Sequence, residues 1–253
     1  MKVNELFLVF MLSVTVAQPG NASASVTNGG TTGVSKDKAT ELNLEDADAY
    51  VLRSAVKLDK HDLNGAIADS TKAIELKPDD AEAYINRGIA KRAKGDLDGA
   101  IADSTKAIEL KPDDAVAYVL RSAAKIAKGD LDGAIADGTK AIELNPHDAN
   151  AYVNRGIAKK AKGDLDGAIA DSTKALKLKP DDAKAYILRS GAKVADGDLD
   201  GAIADGTKAI ELNPDNADAY VNRGDAKLAK GETDAAIVDF TKAIALNPND
   251  GNA

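Results

Sequence analysis

Apolar and small side chains recur at helical spacing in two consecutive segments of the chain, residues 81–94 and 97–110. Recurrence after three and four residues is typical of a helix that buries one face. Gly95 and Asp96 lie between the segments, and these residue types suit the end of one helix and the start of the next. Pro112 stops the second segment, because proline cannot continue a helix. The pattern predicts two antiparallel helices joined by a Gly-Asp turn.

The same pattern occurs six times with a period of 34 residues, so the repeats span 6 × 34 = 204 residues, from 47 to 250. The repeats are 47–80, 81–114, 115–148, 149–182, 183–216 and 217–250. A tyrosine recurs at one place in all of them: Tyr50, Tyr84, Tyr118, Tyr152, Tyr186 and Tyr220. A helical pair of this size cannot form a sufficient core alone, whereas stacked pairs can. The period therefore predicts a solenoid.

Each repeat carries a tyrosine near its start, Ala-Ile in the second helix and a closing proline, and four of the six have Gly-Asp at the turn. Three of the first helices contain Gly-x-Ala. Together these motifs resemble the tetratricopeptide repeat (TPR). The Asn-Arg-Gly triplets at 86–88, 154–156 and 222–224 are similar to a common bacterial form. The resemblance implies an all-α, right-handed superhelical solenoid of antiparallel helix pairs, with six TPR units. Residues 38–46 resemble the tail of another second helix, and we expect a degenerate half-repeat there.

Two positions depart from the family pattern, because both usually hold aromatic side chains. The first-helix position holds Lys57, Lys91, Lys125, Lys159, Lys193 and Lys227. The second-helix position holds Ser70, Ser104, Gly138, Ser172 and Gly206, and only the sixth repeat has an aromatic there, Phe240. We expect each pair of helices to have a thin core. Repeats also alternate between Leu-Arg-Ser and Asn-Arg-Gly, so the full period is 68 residues, which suggests growth of the array by copying pairs.

The segment before the repeats has the features of an export signal. An apolar run covers 6–16, and small residues follow at Ala17 and at 22–24. This pattern predicts a signal peptide over 1–17, with cleavage possible as late as 24, and a periplasmic or extracellular protein. A membrane anchor or a disordered apolar tail is the alternative, although eleven residues are too few to span a bilayer. Residues 18–37 are rich in Ser, Thr, Gly and Asn and predict a flexible linker, and 251–253 form a short C-terminal tail.

Composition narrows the classes of partner. The formal net charge is −8, and the repeats hold only the six tyrosines and Phe240 as aromatics. Nucleic-acid binding needs basic residues for the phosphates and often aromatic platforms for the bases, so we expect no nucleic-acid partner. The chain has no cysteine, which excludes disulfides and thiol chemistry.

No enzymatic signature is present in the sequence. His61 and His147 are 86 residues apart, which is not a metal-ligand spacing. The Asp-x-Asp-Gly motif at 96–99 has its glycine too early for a calcium loop and begins a helix instead. We therefore predict no catalytic residue, no metal and no cofactor, and an enzyme remains only a distant alternative.

An aspartate follows each repeat's arginine by sixteen residues, which places the two on facing helices. The pairs include Arg87 with Asp103, Arg121 with Asp137, and Arg155 with Asp171. We interpret them as structural ion pairs rather than catalytic pairs, because a solenoid would have no reason to repeat a catalytic pair.

In the resembled family the first helices line a concave face that binds peptides, and the resemblance implies a protein or peptide partner here. The positions carried over are Ile85, Asn86, Ile89, Arg92, Leu120, Asn154, Ile157, Lys160, Leu188, Asn222 and Asp225. The three asparagines are expected to bond the backbone of an extended peptide. Several apolar members could equally be supports between neighbouring first helices. The basic clamp by which some family members hold a C-terminal carboxylate is not present.

A second function remains open, because Ile237, Phe240 and Ile244 are expected to lie partly exposed on the last helix. Solenoids normally need a polar cap at such an end for solubility. A self-associating structural protein, a homo-oligomer through the C-terminal helix, is the alternative to a peptide-binding scaffold.

Overall fold

The computed structural model describes residues 46–247, which contain twelve α-helices and no strand. The helices are α1 Ala47–Asp59, α2 Leu63–Leu76, α3 Ala81–Ala93, α4 Leu97–Leu110, α5 Ala115–Lys128, α6 Leu131–Leu144, α7 Ala149–Ala161, α8 Leu165–Leu178, α9 Ala183–Asp196, α10 Leu199–Leu212, α11 Ala217–Ala229 and α12 Thr233–Leu246. The predicted all-α repeat solenoid is confirmed. The predicted signal peptide, linker, half-repeat (apart from Asp46) and C-terminal tail lie outside the described residues.

The helices form two compact units, one within residues 46–110 and one within 111–247. In both, each first helix packs on the second helix of its own repeat, and each second helix packs on the first helix that follows it in the unit. In residues 111–247, successive first helices (α5, α7, α9, α11) also contact each other, whereas successive second helices do not. The first helices therefore line the inner, concave side of this unit.

The turns within the repeats depend on aspartate caps. Asp130 accepts a hydrogen bond of 3.0 Å from the backbone N–H of Gly133 and so satisfies one of the free donors at the start of α6. A Cβ added at Gly133 would lie 2.2 Å from Oδ2 of Asp130. Glycine at this position therefore leaves room for the cap. In the sixth repeat, Glu232 makes no side-chain cap bond and Ala235 takes the place of the glycine.

The residue before the N-cap of each second helix has a left-handed backbone. Gly129 has φ 82° and Gly197 has φ 91°, and glycine adopts such angles without a steric cost. The first repeat has His61 at the same place, with φ 60°. His61 is the only non-glycine residue with positive φ among residues 46–247, so the first turn is more strained than the others.

Replacing His61 with glycine should stabilise the first repeat. The left-handed conformation costs an ordinary residue roughly 1–2 kcal/mol, and the greater chain entropy of glycine offsets roughly 0.5–1 kcal/mol. We expect a net gain of about 0.5–1 kcal/mol in the free energy of unfolding, measured by urea titration. The reciprocal variant Gly163→His, at a turn with φ 86°, should lose a similar amount. Equal stability of wild type and both variants would contradict this account of the turn.

Candidate functional site

A buried aspartate lies at the centre of each repeat, between its two helices. In the second repeat, Asp103 on α4 accepts hydrogen bonds from Nε and Nη2 of Arg87 at 3.0 and 2.7 Å. Nζ of Lys91 lies 2.8 Å from the same carboxylate. Both cations come from α3, so the aspartate binds the first helix at two points one turn apart. A bidentate arginine contact of this kind is among the stronger hydrogen-bonded ion pairs.

The same arrangement occurs in all six repeats. The Nη2–Oδ1 distances for Arg53–Asp69, Arg121–Asp137, Arg155–Asp171, Arg189–Asp205 and Arg223–Asp239 are 2.6–2.7 Å. The lysine of each repeat lies 2.8–3.1 Å from the same carboxylate. The position where the family usually has an aromatic residue therefore holds a lysine that completes the ion cluster.

The arginine also connects its repeat to the preceding one. Nη1 of Arg155 donates a hydrogen bond of 3.3 Å to the hydroxyl of Thr139 on α6, and its guanidinium carbon lies 5.8 Å from the centre of the Tyr152 ring. Arg223 bonds Thr207 in the same way at 3.2 Å. Arg155, which lies on α7, thus contacts both α6 and α8, so the angle within a repeat and the angle between repeats are coupled.

The ion clusters alter the pKa of two aspartates. The hydrogen bond from Arg53 lowers the pKa of Asp69 below its ordinary value, and burial, which acts the other way, is outweighed. Burial is the largest single influence on Asp239 and would raise its pKa. Its hydrogen bonds from Arg223 and Lys227 outweigh that effect, so the pKa of Asp239 is lowered. Both carboxylates are therefore held in the ionised form that the cluster needs.

Small side chains pack beside each cluster. Ser122 donates a hydrogen bond of 2.9 Å to the carbonyl of Ala134, and Ser172 donates one of 2.7 Å to Ala168. Both hydroxyls are buried and satisfied, so the core between the helices is narrow but closed.

The residues expected to bind a partner divide into two groups by exposure. Half-buried or exposed members have surface available to a partner: Ile89, Asn154, Ile157, Lys160, Asn222 and Asp225. Buried members have little such surface: Ile85, Asn86, Arg92, Leu120 and Leu188. Burial lowers the pKa of Arg92. Leu188 belongs to a core cluster with Tyr152, Val153 and Leu176, against which Ile157 packs. The apolar residues of α7 and α9 thus support the stacking of repeats.

The three asparagines bond a protein backbone within the chain. Nδ2 of Asn86 donates to the carbonyl of Val51 at 3.2 Å, Asn154 to Val119 at 3.1 Å and Asn222 to Ile187 at 3.0 Å. Each acceptor belongs to the first helix of the preceding repeat. One donor of each amide therefore fixes neighbouring first helices to each other.

Polar side chains from two first helices, α7 and α11, meet around Gly191 of a third, α9. Gly191 leaves a gap between them, and the Nδ2 and Oδ1 atoms of Asn222 lie 3.1 and 3.3 Å from the point that a Cβ of Gly191 would occupy. Nζ of Lys160 reaches over the same point. We call the set Lys160, Gly191, Asn222 and Asp225 the polar notch.

Lys160 is half-buried and makes no hydrogen bond or ion pair with any residue in 46–247. Desolvation lowers the pKa of Lys160, and the charges of Asp218 and Asp225 act against that shift at longer range. Desolvation likewise raises the pKa of Asp225, against the charge of Lys160. An ammonium donor and a carboxylate acceptor are thus poised together on the concave side, without satisfying each other.

Other kinds of site find no support in the part of the chain that the structure describes. Residues 46–247 contain no group of three or more His, Asp or Glu side chains that could hold a metal ion. None of the twelve helices combines the length and the apolar character needed to cross a bilayer. The polar notch is the candidate functional site.

Comparison with known families identifies the repeats. A tetratricopeptide repeat model matches residues 217–250, a TPR repeat model matches 123–163 and 192–231, and another tetratricopeptide repeat model matches 81–114 and 149–182. A search of curated proteins found no match.

Solved structures share the fold. YrrB, described as a TPR protein with an unusual peptide-binding site, is 26% identical, with a TM-score of 0.55 over 72% of this chain and 94% of that chain. PilW, a type IV pilus biogenesis factor, is 20% identical, with a TM-score of 0.72 over 81% of this chain and 96% of that chain. The APC/C hetero-tetramer Cut9-Hcn1 gives a TM-score of 0.78 at 20% identity, over 85% of this chain and 43% of that chain. The last two likenesses show the fold alone.

Removing one buried aspartate should strongly destabilise the repeats. Asp137→Ala would leave Arg121 and Lys125 close together without their carboxylate, and breaking a buried ion pair costs roughly 3–5 kcal/mol. We expect a loss of that size in the free energy of unfolding. Asp113→Ala, at an exposed loop position, is the matched control and should change it by less than about 0.5 kcal/mol. If both variants unfold at the wild-type urea concentration, the ion clusters do not hold the fold.

Proposed function

Because the chain belongs to the tetratricopeptide-repeat family, whose fold serves as a scaffold for protein–protein interaction, we propose that it is a non-enzymatic scaffold that binds an extended peptide segment on its concave side. The peptide is the most specific part of the proposal. The observation that carries it is the polar notch, where Lys160 has no acceptor among the described residues.

The chemistry of the notch suits a peptide backbone. Lys160 offers donors above Gly191, and Asp225, whose charge acts on Lys160, offers an acceptor. A peptide in extended conformation presents carbonyl acceptors and N–H donors in alternation. Ile157, half-buried on α7 three residues before Lys160, provides apolar surface for one of the peptide's side chains. YrrB, which shares the fold at 26% identity, is a TPR protein described as having a peptide-binding site, and this supports the proposal.

We further propose that the protein is exported. The support is the apolar run at 6–16 followed by small residues, a pattern typical of a cleaved signal peptide. Mass spectrometry of the mature protein should find a new N-terminus between residues 18 and 25. An intact Met1 on protein recovered from the cell envelope would contradict export by cleavage.

The peptide proposal can be tested with a displayed library of random peptides selected on the full chain. A peptide selected on wild type should bind the Lys160→Ala variant about tenfold more weakly or worse, because a hydrogen bond to a charged group contributes about 1.5–3 kcal/mol. Affinity is measured by calorimetry on the purified proteins.

Lys174→Ala is the matched control, since Lys174 lies in the same repeat on an exposed part of α8. It should bind the selected peptide with wild-type affinity. Equal affinity of wild type and Lys160→Ala would move the site away from the polar notch. Failure to select any peptide would contradict the peptide-binding function itself.

A further inference from the structure

The outward side of α12 differs from that of the other second helices. Where α12 has Val238, the preceding repeats have an exposed alanine: Ala68, Ala102, Ala136, Ala170 and Ala204. Where α12 has Ala245, they have an exposed charged residue: Glu75, Glu109, Glu143, Lys177 and Glu211. Both changes make the outer surface of α12 more apolar.

With these changes α12 has a contiguous apolar patch, which also includes two isoleucines whose counterparts in the other repeats are Ile or Leu. Val238 is 68% exposed, Ile237 is 56% exposed and Ile244 is 45% exposed, and Thr241 and Ala245 lie exposed between them. Side chains three and four residues apart lie on one side of a helix, so the five form a single stripe. Contiguous apolar surface of this kind commonly marks an interaction site.

A further stacked repeat would not cover the part of the patch that contains Val238. In the fourth repeat, Cδ2 of Leu188 from the next repeat lies 2.9 Å from the position of a Cβ on Gly156. In the sixth repeat, Cε1 of Phe240 lies 2.7 Å from the same position on Gly224. The phenylalanine of the sixth repeat thus fills the space that Leu188 fills over Gly156 in the fourth repeat. Val238 also lies at a position that stays exposed within the stack.

Two charges beside the patch lack the partners that their counterparts have. In four repeats the lysine at the position of Lys242 pairs with the glutamate three residues later, as Lys208 does with Glu211 at 2.9 Å. In the fifth repeat, Asp200, the counterpart of Asp234, pairs with Lys230 of the next repeat at 2.6 Å. Within residues 46–247, neither Lys242 nor Asp234 makes an ion pair.

Asp234 and Lys242 have opposite charges and lie four residues before and four residues after Val238. In an antiparallel helix pair with a two-fold axis at Val238, each aspartate therefore faces the lysine of the other helix. A two-fold interface requires such self-complementarity, because the same surface is present on both sides.

We propose that α12 is an interface between two copies of this chain, packed antiparallel about Val238, with Asp234 of each copy paired to Lys242 of the other. This interface is separate from the polar notch and does not rest on peptide binding. A single helix face is smaller than the roughly 1,200–2,000 Å² buried in a standard interface, so the dimer is weak and depends on concentration.

Sedimentation equilibrium of the full chain, at concentrations up to about 1 mM, tests the proposal. Wild type should shift from monomer to dimer as concentration rises. Val238→Asp should be monomeric throughout, with an unchanged circular dichroism spectrum. Ala204→Asp, the equivalent change on α10, is the matched control and should still dimerise. A wild type that stays monomeric, or a dimer that persists in Val238→Asp, would overturn the interface.

Charge exchange tests the antiparallel arrangement. Asp234→Lys alone and Lys242→Asp alone should each weaken the dimer, because like charges would face each other. The double variant should restore it. Failure of the double variant to restore the dimer would overturn the antiparallel pairing. Leu52→Asp, on exposed surface of α1, should leave the dimer intact, and loss of the dimer in that variant would instead indicate end-to-end contact.

Discussion

The buried carboxylate between the two helices of each repeat is the interaction on which the rest of the structure depends. A carboxylate in this position must be paired, because an unpaired buried charge is very costly. Asp171 receives its partners, Arg155 and Lys159, from one helix face, so only one register of the two helices satisfies it. Since Arg155 also bonds Thr139 of the preceding repeat, the same cluster sets how repeats stack. The geometry of the ion cluster thus fixes the register of the two helices and the stacking of repeats. Large aromatic side chains would otherwise do this by packing.

Much of the fold could be predicted from sequence because its signals are local. Proline at 112 cannot continue a helix, glycine at 95 permits the left-handed turn, and the 34-residue period shows that one unit is repeated. The role of Lys91 could not be predicted in the same way. A lysine in place of an aromatic residue indicates a weaker core, because its pairing with Asp103 depends on how the two helices face each other. Its spacing of twelve residues from the aspartate was the available signal.

Sequence alone could not identify which residues of the first helices form the candidate site. Apolar periodicity in a first helix is the same whether a side chain faces a partner or the next first helix, so Leu188 and Ile157 look alike in sequence. Only the contacts distinguish them: Leu188 lies over Gly156 inside the stack, whereas Ile157 retains exposed surface. The polar notch depends on Lys160, Gly191 and Asn222, which come from three successive repeats. No single repeat contains its pattern.

The 68-residue period has a physical counterpart in two kinds of contact between repeats. Asn154 joins the third and fourth repeats by a hydrogen bond, and Leu188 joins the fourth and fifth by filling the space over Gly156. The sixth repeat keeps the first kind of contact, because Asn222 bonds Ile187 of the fifth repeat, and departs from the second kind. A Cβ at Gly206 would lie 3.0 Å from Cβ of the next repeat's arginine, so this position is restricted wherever another repeat follows. Phe240 occupies the corresponding position in the sixth repeat and covers Gly224 itself. The substitutions of the sixth repeat therefore act on two sides of α12: Phe240 fills the space over Gly224 inside the repeat, and Val238 and Ala245 make the outer surface more apolar.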